Sequence, residues 1–511
     1  MPASRAQLTV AGILNEAPRS RFHRRAVVVS GVGFFTDAYD LFVISTVATL
    51  VAAQWHLSTV AKSWVSGSAI LGAFIGAMVF GRIADRLGRK SVYVIVAGIM
   101  VVGALLSAFS VNLWWLIASR LVLGLGIGGD YPVSAVLMSE YSNRRDRGRM
   151  VGLVFSMQAV GLIVGPLVAL TLLSSGVSHG LTWRLLLGLG AVPAAAVIWL
   201  RSKMPESPRF QTGVKGDYDK AAAELDVFSE GVASLISSHR EAPSPSPALA
   251  ASSPASRPTV LRLGDFLRNS RMLLLLLGTA GGWLFFDYAY YGNTLSLPAI
   301  LKEVSPTASL DVQLLWTLGI FVVCAVPGYI MAFTFMDRIG HRKLQLIGFG
   351  VMAAAFLVLG AFQPLTAMAA PFLAIFGLSY FFVQFGPNMT TFVLPSEVFP
   401  VKARTTGHGI AAGVGKLGAF IGVFLVPALQ KSIGLRLMLV VSAAAAICGA
   451  GLTLLLPEPS QRTLEELSGE GAAVSQPVQI SPAAPDLHEE HVAAEKHSDP
   501  RLPSTTDTLS A

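Results

Sequence analysis

Gly128-Gly129-Asp130-Tyr131-Pro132-Val133-Ser134-Ala135-Val136-Leu137-Met138-Ser139-Glu140 closes an apolar run that begins near Leu113. The run is long enough to cross a bilayer as a helix, so an acid, a phenol and a proline fall inside a predicted membrane span. A carboxylate near the bilayer centre costs about 2.5–3.5 kcal/mol unless it faces a partner or a cavity. Pro132 removes a backbone donor, and the two glycines let a neighbouring helix approach closely. A kinked packing site would account for the glycines and the proline. It leaves Asp130 beside Tyr131 unexplained.

Working outward, the 511 residues are 53% hydrophobic and only 13% charged, with a mean hydropathy of +0.60. Soluble domains carry about 25% charged residues, so the composition predicts an all-α polytopic membrane protein. Apolar runs of spanning length occur at 26–52, 62–82, 91–110, 113–139, 150–175, 182–203, 272–300, 313–335, 344–363, 368–394, 405–430 and 436–457. These are spans 1 to 12. Basic residues crowd alternate connections: Arg24 and Arg25 before span 1, Arg86, Arg89 and Lys90 after span 2, Arg144, Arg145, Arg147 and Arg149 after span 4, Arg338, Arg342 and Lys343 after span 8. The connections 53–61 and 174–180 contain no lysine or arginine. The positive-inside rule then puts both termini in the cytoplasm. The net charge of +8 is thus a topology signal, and no nucleic-acid partner is expected. Cys324 and Cys448 both lie in spans, so no disulfide framework is expected; nor is a removable leader.

The predicted organisation is a cytoplasmic N-terminal segment (1–25), a six-helix bundle (26–203), a cytoplasmic linker (204–270), a second six-helix bundle (271–457) and a disordered tail (458–511). The linker begins with charged, helix-compatible sequence and passes into Glu241-Ala-Pro-Ser-Pro-Ser-Pro, a mixture that cannot bury enough apolar surface to fold. The tail histidines, His488, His491 and His497, are irregularly spaced and lack cysteine partners, so a solvated tail is favoured over a metal site.

A repeat links the halves. Gly81-Arg-Ile-Ala-Asp85-Arg86-Leu-Gly88-Arg89-Lys90 after span 2 has a counterpart in Asp337-Arg338-Ile-Gly340-His341-Arg342-Lys343 after span 8, with Phe333 where the first copy has Gly81. Glu140 with Arg144 after span 4 is echoed by Glu397 with Arg404 after span 10. Pro205-Glu206-Ser-Pro-Arg209 and Pro457-Glu458 end the two halves. Matching motifs in two six-span halves mark transporters built from repeats. Pairing among Gly81, Asp85, Arg86, Arg89, Glu140, Arg144, Asp337, Arg338, Glu397 and Arg404 would hold a cytoplasmic gate closed; topology-setting charge alone is the plainer alternative.

Polar residues inside spans mark a pathway, because they are costly there. Span 1 carries Asp37 and Asp40, three apart on one helical face. Two carboxylates in low dielectric favour proton exchange by at least one of them, although an interhelical clamp, for example with Arg120, would also use such acids. In span 7, Trp283, Asp287 and Tyr291 follow at i, i+4, i+8 and form one stripe. Indole and phenol donate hydrogen bonds while a carboxylate accepts. An interfacial aromatic belt gives no reason for Asp287. Gln158 in span 5, Gln384 and Asn388 in span 10, and Lys416, a lone mid-span cation in span 11, complete the set.

These strings (TDAYD at 36–40, GGDYP at 128–132, the Trp-x3-Asp-x3-Tyr stripe, FGPN at 385–388 and GK at 415–416) resemble the proton-coupled inorganic phosphate symporters of the major facilitator superfamily. The resemblance covers almost the entire transmembrane region. Val133 stands where the signature has leucine, and Phe333 makes the second gate motif imperfect. It implies the major facilitator fold, two pseudo-symmetric six-helix bundles, and proton-driven symport of phosphate by alternating access. It further implies that Tyr131, Gln158, Trp283, Asp287, Tyr291, Asn388 and Lys416 bind phosphate and that Asp37, Asp130 and, less directly, Asp40 carry protons. No cofactor or metal is implied. The expected partners are phosphate, protons, the bilayer and, from its near-identical shape, arsenate; the expected state is a monomer in the plasma (inner) membrane. A carrier of sugars or organic acids, and a phosphate-sensing receptor, stay open as alternatives. An enzyme is not expected, since the chain has no Walker A loop and no convincing zinc or nucleophile constellation.

Overall fold

Among the described residues, eleven helices are long and apolar enough to cross a membrane: Arg21–Trp55, Thr59–Leu87, Arg89–Ala108, Leu113–Tyr141, Arg147–Ser174, His179–Ser202, Ser270–Leu295, Asp311–Ile339, His341–Ala361, Ala369–Val398 and Val401–Thr453. The last contains both span 11 and span 12, separated by the non-helical Gly434 (φ 80°, ψ 163°), so the expected twelve spans are present. The structure, a computed structural model, describes residues 10–217, 220–221, 224–225 and 261–469. The prolines of the linker core and the histidines of the tail lie outside the described residues.

Close helix packing follows from the glycines of the decisive stretch. A Cβ on Gly124 or Gly128 would stand 2.0 Å from the carbonyl oxygen of Ala69 or Ala73, so only glycine allows spans 2 and 4 to touch backbone to backbone. Without a hydrophobic driving force between helices in lipid, this van der Waals contact is what associates them. Within each half the connections are tight. Span 2 meets span 3 at Gly88 (φ 108°), and span 8 meets span 9 at Gly340 (φ 101°). These are equivalent positions of the repeat, both in a backbone region that disfavours other residues.

Several spans are interrupted near mid-membrane. Span 5 divides at Met157 into Arg147–Ser156 and Gln158–Ser174. Span 8 passes through wider turns at Phe321–Ala325. Span 10 breaks at Gly386 (φ −114°, ψ −104°) before Pro387–Val398. Broken helices free polar groups in the bilayer, which is tolerated only where protein or a cavity receives them. Each interruption precedes a polar residue of the central site: Gln158, Tyr329 and Asn388.

Two expected boundaries move. Residues 458–469, assigned to the tail, are ordered and contain the helix Leu464–Ser468, where Thr463 and Glu466 form a capping box. Leu464 and Leu467 are buried beneath it. The first part of the linker is ordered too, with Ser207 capping a short turn at Pro208–Phe210. Ahead of span 1, Val10–Glu16 forms a further helix with Val10, Ile13 and Leu14 buried. All three segments gather at the basic-loop end of the molecule.

Candidate functional site

Trp283, Asp287 and Tyr291 project from span 7 as one stripe, as their spacing predicts, and meet Lys416 of span 11. The Lys416 ammonium donates to Asp287 Oδ2 at 3.1 Å and to the Tyr291 hydroxyl at 3.2 Å. It also lies over the Tyr291 and Tyr131 rings, 4.3 and 4.6 Å from their centroids, a cation–π arrangement that is worth most when desolvated. Lys416 is therefore not the lone cation read from span 11. Pairing explains how it is kept in the bilayer interior, where an unpartnered charge would be costly.

Tyr131, from the decisive stretch, faces this pair across the two halves. Its ring packs 6.1 Å from Trp283 and 6.0 Å from Phe392. A hydrogen-bond chain runs from it through both halves. The Gln158 amide donates to the Tyr131 hydroxyl (3.1 Å), Tyr329 donates to Gln158 Oε1 (3.1 Å), and Asn388 donates to the Tyr329 hydroxyl (2.7 Å) and to Gln384 Oε1. Gln384 in turn donates to the Tyr290 hydroxyl at 3.0 Å. Asp37 lies beside Lys416 and the Tyr131 hydroxyl, and neither of its oxygens makes a hydrogen bond of ordinary geometry among the described residues. Tyr131, Gln158, Trp283, Asp287, Tyr291, Asn388, Lys416, Asp37 and Tyr329 are each at most 3% exposed.

The hydrogen-bond inventory of this cluster is uneven. Tyr131 and Tyr291 each accept from a neighbour, so each has a hydroxyl proton to donate, with that of Tyr131 placed beside Asp37. Lys416 uses two of its three ammonium protons. Against these donors stand three carboxyl oxygens without partners among the described residues: both of Asp37 and Oδ1 of Asp287. Buried polar groups are normally satisfied. The arrangement thus offers donors and acceptors together to a guest that has both.

The other two acids are placed differently. Asp40 pairs with Arg120 at 2.7 Å, and Asp130 pairs with Arg201 at 2.9 Å and accepts from Ser134 at 3.1 Å. The clamp with Arg120 is therefore made, by Asp40. Spacing brings Asp37 and Asp40 onto one face, yet only Asp37 turns to the central cluster. Sequence reasoning missed Arg201, which reads as a topology charge at the end of span 6, and Tyr329, which has no polar neighbour in sequence to mark it.

At the basic-loop end, the expected gate residues form a network that crosses the halves. Asp85 accepts from the backbone N–H groups of Thr405 and Thr406 (3.3 and 2.7 Å) and pairs with Arg89 at 3.2 Å. Glu140 joins Arg89 and Arg404 at 3.4 and 3.2 Å. Glu397 joins Arg147 and His341 at 2.9 and 3.0 Å, while Asp337 accepts from His341 at 3.3 Å and from the Arg149 N–H at 2.8 Å. Gly81 allows this closure, since a Cβ there would lie 2.7 Å from the Thr405 carbonyl oxygen. Three expected members lie outside the network: Arg86 and Arg338 are exposed, and Arg144 pairs with Glu16 at 2.7 Å. Arg89 takes part as expected, and Arg147 and His341 stand in for Arg144 and Arg338, because helix periodicity turns them inward.

Glu206 and Glu458 brace the two copies alike. Glu206 accepts from the N–H groups of Arg89 and Lys90, and Glu458 from those of His341 and Arg342. A carboxylate at a helix N-terminus satisfies orphan donors and the helix dipole. Burial pushes the Glu206 carboxyl above its ordinary range against the pull of Arg89. Glu465 behaves oppositely: burial would raise it, but Arg209 and the Asn15 amide outweigh burial and hold it at about 2. Arg209 pairs with Glu465 at 3.1 Å and donates to Asn15 Oδ1 and the Glu140 carbonyl, tying three segments of the basic-loop end together.

Residues 26–470 match the sugar (and other) transporter family. The repressible high-affinity phosphate permease of Neurospora crassa is 34% identical over 522 residues, covering 92% of this chain and 90% of that one. The probable inorganic phosphate transporter 1-6 of Arabidopsis thaliana is 35% identical, with 92% and 98% covered. Among solved structures, the proton:xylose symporter XylE bound to 6-bromo-6-deoxy-D-glucose superposes with a TM-score of 0.72 at 21% identity, over 87% of this chain and 98% of that one; at that identity the likeness establishes the fold. With the twelve spans, the duplicated motifs and these relatives, the chain belongs to the sugar (and other) transporter family, of major facilitator fold, and within it to the inorganic phosphate transporters.

Proposed function

We propose that this chain is a secondary active transporter that carries inorganic phosphate with protons by alternating access, and is not an enzyme. The observation that carries the substrate is the uneven hydrogen-bond inventory of the central cluster. Dihydrogen phosphate has two oxygens that only accept and two hydroxyls that donate. Tyr131, Tyr291 and Lys416 meet the first pair; Asp287 and Asp37 meet the second. A sugar would satisfy the hydroxyl chemistry but has no use for the buried ammonium. Sulfate has no proton to give a carboxylate, and a buried acceptor left unpaired costs about 1–3 kcal/mol. Arsenate has the shape and protons of phosphate and should compete with it.

In this reading Lys416, Tyr131 and Tyr291 bind the anion, Gln158, Tyr329 and Asn388 orient Tyr131, and Trp283 packs behind them. Asp37 is the proton carrier, because it alone among the three acids of the first half lacks a cationic partner. Asp40 and Asp130 hold helices in place. A protonated Asp37 admits the anion without charge repulsion; loss of that proton at the opposite face favours release. The basic-loop end faces the cytoplasm, the membrane is the plasma membrane, and a single chain suffices, since every proposed ligand comes from one chain.

The test is radiolabelled phosphate uptake into proteoliposomes with and without an inward proton gradient. Gradient-driven accumulation is expected in the native chain and lost in Asp287→Ala. Asp37→Asn should retain phosphate exchange but lose accumulation. Uptake that ignores the gradient, or Asp37→Asn accumulating as the native chain does, would overturn the coupling scheme; sulfate competing as well as arsenate would overturn the pocket.

A further inference from the structure

At the charge-poor end a groove of about 150 Å³ opens between the halves, where spans 1 and 2 face spans 7 and 11. Its two walls differ. The first half contributes Thr49, Thr59, Lys62, Ser63 and Ser66, whereas the second contributes Ser296 and mostly apolar side chains such as Pro298 and Pro427. Lys62 donates to Thr49 at 3.1 Å, which leaves two ammonium protons for a guest. Lys62 is the charged side chain among the groove's described lining residues; Glu303, nearby, accepts from Gln430, which also reaches the carbonyl of the lining Ala299. About 10–15 Å³ holds one water by this measure, so an oxyanion fits with part of its hydration shell.

The groove adjoins a second cavity. Ser45 and Pro298 also line a smaller chamber whose other wall is Phe42 and Phe321. Phe42 stacks on Tyr291 at 6.0 Å, and Tyr291 is the phenol held by Lys416. The Lys62 groove thus shares a wall with this chamber, and the chamber's Phe42 stacks on the phenol held by Lys416.

We propose that the Lys62 groove is an outer recruiting site for a phosphate oxyanion, occupied before the anion passes Phe42 and Tyr291 to the central site. This rests on the phosphate reading above. Clefts lined by one sign of charge concentrate counter-ions and raise capture rates in a salt-dependent way. Lys62 then acts on capture and not on turnover.

Uptake kinetics and chemical protection test this separately. Lys62→Gln should raise the KM for phosphate by about three- to tenfold with the maximal rate within twofold, and flatten the ionic-strength dependence of uptake at low phosphate; Lys62→Arg should restore both. In lipid-free maltoside detergent, inorganic phosphate should slow acetylation of Lys62, read by mass spectrometry, in the native chain and in Asp287→Asn alike. An unchanged KM in Lys62→Gln, or acetylation indifferent to phosphate, overturns the proposal. Protection by anionic phospholipid vesicles but not by phosphate also overturns it and assigns the groove to a lipid headgroup. Should the chain transport no phosphate at all, the functional reading fails, while the detergent experiment still decides whether the groove binds the anion.

Discussion

Asp287 and Lys416 neutralise each other at 3.1 Å inside the bilayer, and the energetics of such a pair are asymmetric. Removing one partner leaves the other charge buried, at a cost of about 3–5 kcal/mol, whereas replacing both is often close to neutral. Lys416→Ala should therefore lower the thermal midpoint in detergent strongly and abolish phosphate uptake. Lys416→Ala with Asp287→Ala should recover most of the stability and none of the transport. A double variant no more stable than either single one would show that the pair does not carry its own desolvation. The Trp283, Asp287 and Tyr291 stripe was legible in sequence because helical periodicity puts those residues on one face, and acids are too costly in a span to be accidental. Tyr329 was not legible. A single aromatic in an apolar run reads as packing, and its orientation depends on the wide turns at Phe321–Ala325, which have no local sequence mark. The partners of Asp40 and Asp130 were hidden for another reason: an arginine in or at the end of a span carries no sign of which distant helix will face it.

Elements that brace the basic-loop end show how a duplicated motif diverges. Where the first copy has Arg89 between Asp85 and Glu140, the second has His341 between Asp337 and Glu397. A guanidinium is always charged, whereas an imidazole is charged only when protonated. The groups facing His341 are Asp337, Glu397 and the backbone-bound Glu458, with Arg147 sharing Glu397. The second-half latch thus rests on an imidazolium held between two carboxylates, as the first rests on a guanidinium. His341→Arg should keep uptake, whereas His341→Gln, which carries no charge, should lower it. Native uptake in His341→Gln would show that His341 does not latch. Glu465 adds an acid-side device. Its carboxyl, held at about 2 by Arg209 and Asn15 against burial, stabilises the fold fully above the ordinary glutamate range, near 4.3. That stabilisation is lost as pH falls through about 2. Glu465→Gln should cost about 1.5–3 kcal/mol at pH 7, and the deficit should narrow only below about pH 4, as followed by thermal unfolding. The ordered start of the tail was partly legible, since Thr463-x-x-Glu466 is a capping box; the long polar stretch after it obscured that signal. Span positions and the repeat, by contrast, were read from the sequence, because length and hydropathy suffice for spans and matched spacing suffices for the repeat.

For the whole molecule, the network at the basic-loop end and the groove at the opposite end describe a transporter closed on one side. Closure there depends on backbone-level contact between span 2 and span 11. A Cβ on Gly81 would stand 2.7 Å from the Thr405 carbonyl oxygen and 3.0 Å from Gly409 Cα. Neither is the movable end of a flexible side chain, so the helices themselves must separate. Overpacking of this kind costs about 1–3 kcal/mol, and it acts only on the state in which the two helices touch. Gly81→Leu should therefore shift the population towards the state open at the basic end by roughly 5- to 150-fold without unfolding the protein. Ser139 offers the readout, because it is buried between the halves and donates to the Ser396 carbonyl at 3.1 Å. In a background with Cys324 and Cys448 replaced by serine, Ser139→Cys should react slowly with a membrane-impermeant maleimide applied to the basic face, and much faster when Gly81→Leu is added. Phosphate accumulation should fall by at least tenfold in the same variant, since a carrier that cannot close one side cannot complete its cycle. If Gly81→Leu left both labelling and accumulation at native levels, closure would not pass through this contact, and the charged pairs alone would have to hold the gate.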